Sequence, residues 1–362
     1  MVRLTSKLFL PILLLSLLTF GFSFDRFLVD RGVGVNTYLL IFIGFFITIL
    51  GLLAMKSLAA QYPDQSIIRL GNTLLGPFGK IGAPVWLILV FLLTVVLARR
   101  VTDEVATIIL FRTPGLVSIF AYLLIAFYMA LLGEEALGRL ASVLLGAIPF
   151  FLILLVLSFR EVNLLNIHPV NIGRNFGYLR KMDLWLIIFA PVWIISISLG
   201  SESLRNGFKK VILSLGMGTV ILGATSLAIA GVFGPKGIAR YEWPVMSLMN
   251  ITEFAAGYLF QNALTTVYFF IFLPLALLTT ANFLIVVSKG CHEFLGLKNN
   301  QAKLILCSVT AGSFALTALP ALVNFQEATG LVLKAAGLYI PVYILLIWVI
   351  SLFRRKARPC DY

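Results

Sequence analysis

The sequence predicts an all-α integral membrane protein of about ten transmembrane helices, and three observations carry that prediction. Hydrophobic residues make up 60% of the 362-residue chain against 12% charged residues, with a mean hydropathy of +1.03, so there is too little polar surface to coat a water-soluble fold. Apolar stretches near the roughly 20 residues needed to cross the hydrocarbon core as a helix recur along the whole chain and leave no segment for a separate soluble domain. The formal net charge of +13 is scattered over the short connections between them, as expected for orientation by cytoplasmic Lys and Arg and for attraction to anionic headgroups. Such scatter argues against a nucleic-acid partner, which needs its basic residues on one face.

The predicted spans run Lys7 to Phe24, Asn36 to Met55, Ala83 to Leu110, Pro114 to Leu132 and Leu140 to Phe159. They continue with Leu184 to Gly200, Val211 to Phe233, Leu264 to Val287, Leu304 to Pro320 and Leu333 to Leu352. They form one transmembrane domain over 1–362, with five helices in 1–159, an outer connecting loop in 160–183 and five more helices in 184–353. Pro11 and Pro191 precede corresponding points of the first and sixth spans, which favours a 5+5 repeat. An even number of spans puts both termini on one side, and the excess of Lys and Arg makes that side cytoplasmic. Arg3 and Lys7 ahead of an apolar run ending at Gly21-Phe22-Ser23 also fit a cleavable signal peptide, which would leave nine spans. Cys291, Cys307 and Cys360 all fall at or near the inner face and imply no disulfide framework.

Two segments are helical but too polar to span. After Asp64, a plausible N-cap, Ile67, Ile68, Gly71, Leu74, Leu75 and Phe78 share a stripe, predicting a helix along the cytoplasmic surface. From Pro244, Val245, Leu248, Met249, Ala256 and Leu259 face away from Asn250 and Glu253, predicting a helix over the outer mouth; the alternative is an eleventh span, which would place the basic tail Arg354 to Arg358 outside.

The first and sixth spans are interrupted at mid-depth by small and hydroxyl residues, Thr19-Phe20-Gly21-Phe22-Ser23 and Ser196-Ile197-Ser198-Leu199-Gly200. Two discontinuous helices would leave N–H groups and dipole ends facing a cavity, a site suited to a carboxylate such as that of an amino acid, with a dipole contribution of about 0.3–2 kcal/mol. Gly21 and Gly200 would admit close backbone approach, and Thr19, Ser23, Ser196 and Ser198 would offer hydroxyls. The alternative is that these hydroxyls bond back to the preceding helical turn and the glycines mark close helix packing. Thr279, Thr280 and Asn282 in the eighth span stand either as partners for a coupling cation against the first break or as hydroxyl-rich packing.

Charges inside a span are functional candidates by default, and the third span holds Arg99, Arg100, Asp103 and Glu104. Helical spacing pairs Arg99 with Asp103 and Arg100 with Glu104. They form a self-neutralised outer turn, a vestibule for a charged or zwitterionic ligand, or a contact with a partner subunit. Glu135 and Arg139 pair in the same way at the cytoplasmic start of the fifth span. Enzymatic or cofactor chemistry finds little support. His168 and His292 cannot form a His-Glu-x-x-His zinc site, Gly71 to Lys80 lacks the order of a phosphate loop, and no Gly-x-Ser-x-Gly elbow occurs. No cofactor, metal or catalytic residue is expected.

Several blocks, in order, resemble one family. They are Gln61-Tyr62-Pro63, Gly71-Asn72-Thr73-Leu74-Leu75-Gly76, Gly79-Lys80-Ile81, Phe111-Arg112-Thr113-Pro114 and Gly133-Glu134-Glu135-Ala136-Leu137-Gly138-Arg139. Further on come Asn163-Leu164-Leu165, Val232-Phe233-Gly234, Trp243-Pro244 and Phe294-Leu295-Gly296-Leu297-Lys298. The chain resembles the B subunit of Ger-type spore germinant receptors, a branch of the amino acid-polyamine-organocation (APC) transporter superfamily. The resemblance implies a LeuT/APC-like inverted-repeat fold with the ligand between spans one, three, six and eight. It also implies a nutrient-sensing role with membrane A and lipoprotein C subunits in the inner membrane of a spore. Thr113 is placed to cap the fourth helix and Pro114 to fill its first turn. The chain departs from the family where Phe260-Gln261-Asn262 stands in place of an Arg with acidic neighbours, and its fifth span lacks the buried Lys of some proton-coupled relatives. The expected function is a subunit that binds a small nutrient, an amino acid by preference, and signals to its partners. The alternative is a proton- or sodium-coupled amino acid transporter, and a third reading is a membrane scaffold.

Overall fold

The computed structural model describes residues 5–28, 37–62, 65–167, 186–199, 201–238, 240–241, 243–256, 263–297, 301–318 and 325–356. The described secondary structure is helical. In chain order the helices are α1 (Ser6–Leu28), α2 (Thr37–Gln61), α3 (Ile67–Leu75), α4 (Pro77–Ile108), α5 (Gly115–Leu132), α6 (Glu134–Leu144), α7 (Ile148–Ser158) and α8 (Leu164–Ile167). They continue as α9 (Ala190–Leu199), α10 (Ser201–Asn206), α11 (Phe208–Ile238), α12 (Pro244–Ala256), α13 (Ala263–Leu295), α14 (Ala302–Ala318) and α15 (Phe325–Lys356).

Eight candidate spans among the described residues are long and apolar enough to cross a membrane: α1, α2, α4, α5, the α6–α7 unit from Glu134 to Glu161, α11, α13 and α15. Two further predicted spans appear as shorter apolar helices, α14 and α9. Upstream of α9 the chain turns at Phe189, two residues before Pro191, which has no N–H to donate. In the Lys7–Phe24 window of α1, 83% of residues are buried, more than in any other candidate span. This helix packs against α6, α9, α11 and α13 at the centre of the bundle, a position that a removed leader would forfeit.

The two non-spanning helices form as the apolar spacing predicts. In α3, Ile67, Ile68, Leu70, Gly71 and Leu74 are buried, whereas Phe78 is exposed and belongs to α4. Its N-cap is Ser66, whose hydroxyl accepts from the Arg69 N–H at 3.3 Å; the expected cap Asp64 lies outside the described residues. The surface helix is held against α4 by a backbone approach that only glycine allows. A Cβ on Gly79 would lie 2.0 Å from the Gly71 carbonyl oxygen. In α12, Val245, Leu248 and Met249 are buried, Leu259, expected on the same face, lies outside the described residues, and the Thr252 hydroxyl donates to Ser158 Oγ of α7 at 2.9 Å. Thr113 is not the cap of α5: Pro114 occupies that position without a side-chain bond, because its fixed φ of −55° already sets the turn.

One loop is fastened by a specific deficit. Pro235 has no N–H, so the Gly231 carbonyl lacks its normal helical donor. The Asn163 N–H at 3.1 Å and Asn166 Nδ2 at 2.8 Å both donate to it instead. Gly234, at φ 63°, makes the kink in α11 beside Asn166. Two separated sequence blocks, Asn163-Leu164-Leu165 and Val232-Phe233-Gly234, therefore meet in space.

Candidate functional site

A cluster of buried hydroxyls joins α1, α13 and α5 within the bundle. Thr279 on α13 bonds back to the Leu275 carbonyl at 2.9 Å and also reaches Ser16 Oγ at 3.3 Å and Thr19 Oγ1 at 3.2 Å on α1. Thr19 in turn donates to the Leu15 carbonyl at 2.9 Å. The adjacent Thr280 points to another neighbour and shares a 2.8 Å hydrogen bond with the Tyr122 hydroxyl of α5. Consecutive residues on a helix are about 100° apart, so this Thr-Thr pair links two different helices to α13. Asn282 uses its amide nitrogen on the Leu278 carbonyl at 2.9 Å, while its Oδ1 is buried without a hydrogen-bond partner.

Ser23 and Ser196 are likewise buried with unpartnered hydroxyls. Isolated polar atoms in an apolar interior are destabilising unless something satisfies them, so the two serine oxygens in the predicted binding segments, and Asn282 on α13, are groups whose deficit a polar guest would relieve.

Toward the C-terminal end of α4 lies a second, charged cluster. Arg99 donates from Nε to Asp103 Oδ2 at 2.8 Å, as the helical spacing predicts, and also reaches the Thr317 carbonyl of α14 at 3.0 Å. Arg100, 9% exposed, turns inward and donates from Nε to the Ser23 carbonyl at 3.1 Å, while its guanidinium lies 3.6 Å from the Trp243 ring centroid. Glu104, 2% exposed, accepts from the Tyr268 hydroxyl of α13 at 3.5 Å. These residues tie α1, α4, the start of α12 and α13 together at one level.

The structure corrects the expected break in the first helix. α1 runs without interruption from Ser6 to Leu28, so its Thr19-to-Ser23 segment presents no free helix end. Phe20 is fully buried, with its ring 5.5 Å from Phe283 and 5.1 Å from Phe24, and Phe22 lies 4.7 Å from Phe151. At Gly21 the space for a Cβ is filled by Leu222, 2.2 Å away, so this glycine serves helix packing. Ser198 is half-buried on α9, Leu199 ends that helix, and Gly200, where the second interruption is expected, lies outside the described residues. Phe260, Gln261 and Asn262 also lie outside them.

Thus the structure brings Thr19 together with Thr279 and links Ser23, through its carbonyl, to Arg100. Ser16, Tyr122 and Tyr268 join these clusters without having been singled out in the sequence, and Trp243, named there only within the Trp243-Pro244 block, joins them too. Ser16 carried a signal, since it sits three residues before Thr19 on the same helical face. Tyr122 and Tyr268 lie in aromatic-rich apolar segments and Trp243 beside Arg240 and Glu242 in the sequence, and for all three only tertiary structure reveals the polar partner.

Two comparisons with known proteins bear on this arrangement. A family model described as spore germination protein matches residues 4–320. The chain is also 24% identical, over 301 residues, to spore germination protein B2 of Bacillus subtilis (strain 168), a match covering 81% of this chain and 80% of the relative.

Proposed function

The chain belongs to the spore germination protein family, and we propose that it serves there as the nutrient-sensing subunit of a germination receptor. In this reading it binds a small polar ligand, an amino acid by preference, at mid-membrane and signals to A and C partner subunits in the inner membrane of a spore. The buried polar deficit carries the reading: Ser23 Oγ and Ser196 Oγ, in the two expected binding segments, and Asn282 Oδ1 on α13 are buried without hydrogen-bond partners. The hydroxyls of Ser16, Thr19, Thr279 and Thr280 supply further groups on α1 and α13. Because α1 is continuous, the ligand is held on this side by side-chain hydroxyls, not by the dipole of a half-helix. Binding requires α1 and α13 to part, since Phe20 and Phe283 now pack against each other. That separation is the conformational shift passed to the partners.

A proton- or sodium-coupled amino acid transporter is the second reading. It draws on the convergence of Ser16, Thr19 and Thr279 hydroxyls, which are hard oxygen donors suited to a cation. Reconstituting the full chain in vesicles separates the two. The sensing reading expects amino acids to raise the melting midpoint without gradient-driven uptake of labelled amino acid. Robust gradient-driven uptake favours the transporter, and a midpoint unmoved by any amino acid or sugar, alone or with the partner subunits present, removes the sensing reading.

A further inference from the structure

A cavity of about 410 Å³ lies outside both clusters, where the end of α5 meets the start of α6, the C-terminal part of α13 and the start of α14. Its volume falls within the roughly 300–1,000 Å³ of small-molecule sites. Charge pairing inside it is asymmetric. The Glu134 carboxylate is taken by Lys289 of α13, and Glu135, half-exposed, is taken by Arg139 at 2.6 Å. Lys303, at the first turn of α14, lines the same cavity and has no acidic partner among the described residues. One positive charge is therefore left uncompensated.

Two more features suit an oxyanion. Ser288 lines the cavity while only 7% exposed, and its hydroxyl has no hydrogen-bond partner among the described residues. The eleven-residue α6 begins at the cavity from Gly133, at φ 86°, with no side-chain cap; its first-turn carboxylates Glu134 and Glu135 are each neutralised by a cation, and its first N–H groups are not satisfied by an N-cap side chain. The wall beside these polar groups is apolar and turned outward. Leu131 and Leu132, at the last turn of a membrane-spanning helix, are exposed at 41% and 55%. A site with an anion-binding floor and a lipid-facing apolar side, at the end of a span, matches an amphiphile whose head is an anionic phosphodiester and whose tails run along α5.

We propose that this cavity is a headgroup site for an anionic phospholipid, with Lys303 and Ser288 holding the phosphate and Leu131 and Leu132 flanking the acyl chains. The lipid then bridges α5, α6, α13 and α14, and its occupancy links α13, which carries Thr279 and Thr280, to the composition of the surrounding membrane.

The test uses the full chain in nanodiscs of phosphatidylcholine containing a minor fraction of phosphatidylglycerol, with co-purifying lipid quantified after extraction. The expected result is selective retention of phosphatidylglycerol that falls about fivefold in Lys303→Gln. Ser288→Ala should reduce it further, and the remote control Lys209→Gln should leave it unchanged. Equal retention by wild type and Lys303→Gln overturns the site. An equal fall in the Lys209→Gln control overturns it too, because it assigns the effect to diffuse surface charge. Inorganic phosphate at millimolar concentration in phosphatidylcholine discs is the soluble arm. If it raises the melting midpoint as far as phosphatidylglycerol does, the lipid assignment fails; no shift from phosphate supports it.

Discussion

Replacing Gly79 with alanine tests whether the contact between α3 and α4 is set by backbone, a matter of geometry that can be worked out directly. The added methyl group would sit 2.0 Å from the Gly71 carbonyl oxygen, 2.3 Å from the Gly71 carbonyl carbon and 2.8 Å from the Asn72 nitrogen. A relaxed carbon–oxygen contact needs about 3.3 Å, so the two helices must separate by more than about 1 Å. Because every obstructing atom is backbone, no side-chain rotation provides relief. Separation loosens the burial of Ile67, Ile68, Leu70 and Leu74 and pulls the Thr73 carbonyl away from Arg354 of α15, now 2.8 Å apart. Overpacking a tight site costs about 1–3 kcal/mol, and an immovable obstacle puts Gly79→Ala at about 3 kcal/mol. Gly146→Ala is the control, since a Cβ there meets nothing within 4 Å and φ is not positive. Unfolding of both variants in nanodiscs, followed by tryptophan fluorescence, supplies the measurement. Agreement of Gly79→Ala with wild type to within about 0.5 kcal/mol would refute the backbone-contact argument.

Thr279→Val keeps the shape of the side chain but removes the hydroxyl that reaches Ser16 and Thr19. Stability without ligand should fall by about 0.6 kcal/mol and by no more than about 1.7 kcal/mol, while the amino-acid-induced rise in melting midpoint disappears; calorimetric titration showing unaltered ligand affinity counts against the site. Arg100→Gln removes the charge over Trp243 and the donor to the Ser23 carbonyl, with an expected loss of about 2–4 kcal/mol. Trp243→Leu should lose about half as much, because the hydrogen bond survives, and equal unfolding midpoints for wild type and Arg100→Gln contradict this account. Asn166→Leu leaves the Gly231 carbonyl with the Asn163 N–H alone, for a loss of about 0.5–1.5 kcal/mol. Hydrogen exchange should show faster opening around Gly231, and unchanged protection there would remove the capping argument.

Much of the fold was legible because the bilayer imposes a length and a composition on each span. The surface helix was legible from Ile67, Ile68, Gly71 and Leu74, whose spacing states which face is buried, and Arg99–Asp103 and Glu135–Arg139 followed from helical spacing alone. The site was less legible. Thr19, Gly21 and Ser23 within an apolar run are compatible with a broken helix or with a continuous one that uses Thr for a back-bond and Gly for a close neighbour. Local sequence does not separate the two; Leu222, two hundred residues away, does. Boundary chemistry misled at Thr113, where Pro114 sets the turn unaided. The inward turn of Arg100 was hidden for a related reason. Spacing points only to Glu104; Ser23 and Trp243 become neighbours as well when α1 and the start of α12 close over α4.

Helix α1 is gripped at three levels by three different elements. Ser214 of α11 donates to the Leu10 carbonyl at 3.2 Å, Thr279 of α13 reaches Ser16 and Thr19, and Arg100 of α4 holds the Ser23 carbonyl. Leu10 and Ser23 are thirteen residues apart, about 20 Å along a helix, so these grips span most of the hydrocarbon thickness. The grips at Leu10 and at Ser16 and Thr19 are neutral hydroxyl contacts of 3.2–3.3 Å, whereas the one at Ser23 carries a charge and an aromatic face, and only the middle one exchanges hydroxyl for hydroxyl. A small polar ligand competing for hydroxyls would therefore loosen α1 from α13 first and leave both ends tethered. The motion available to such a helix is a bend or a rotation about its axis, not a translation through the bundle. Such a motion would change the face that α1 presents to α6, α9, α11 and α13, the helices it packs against.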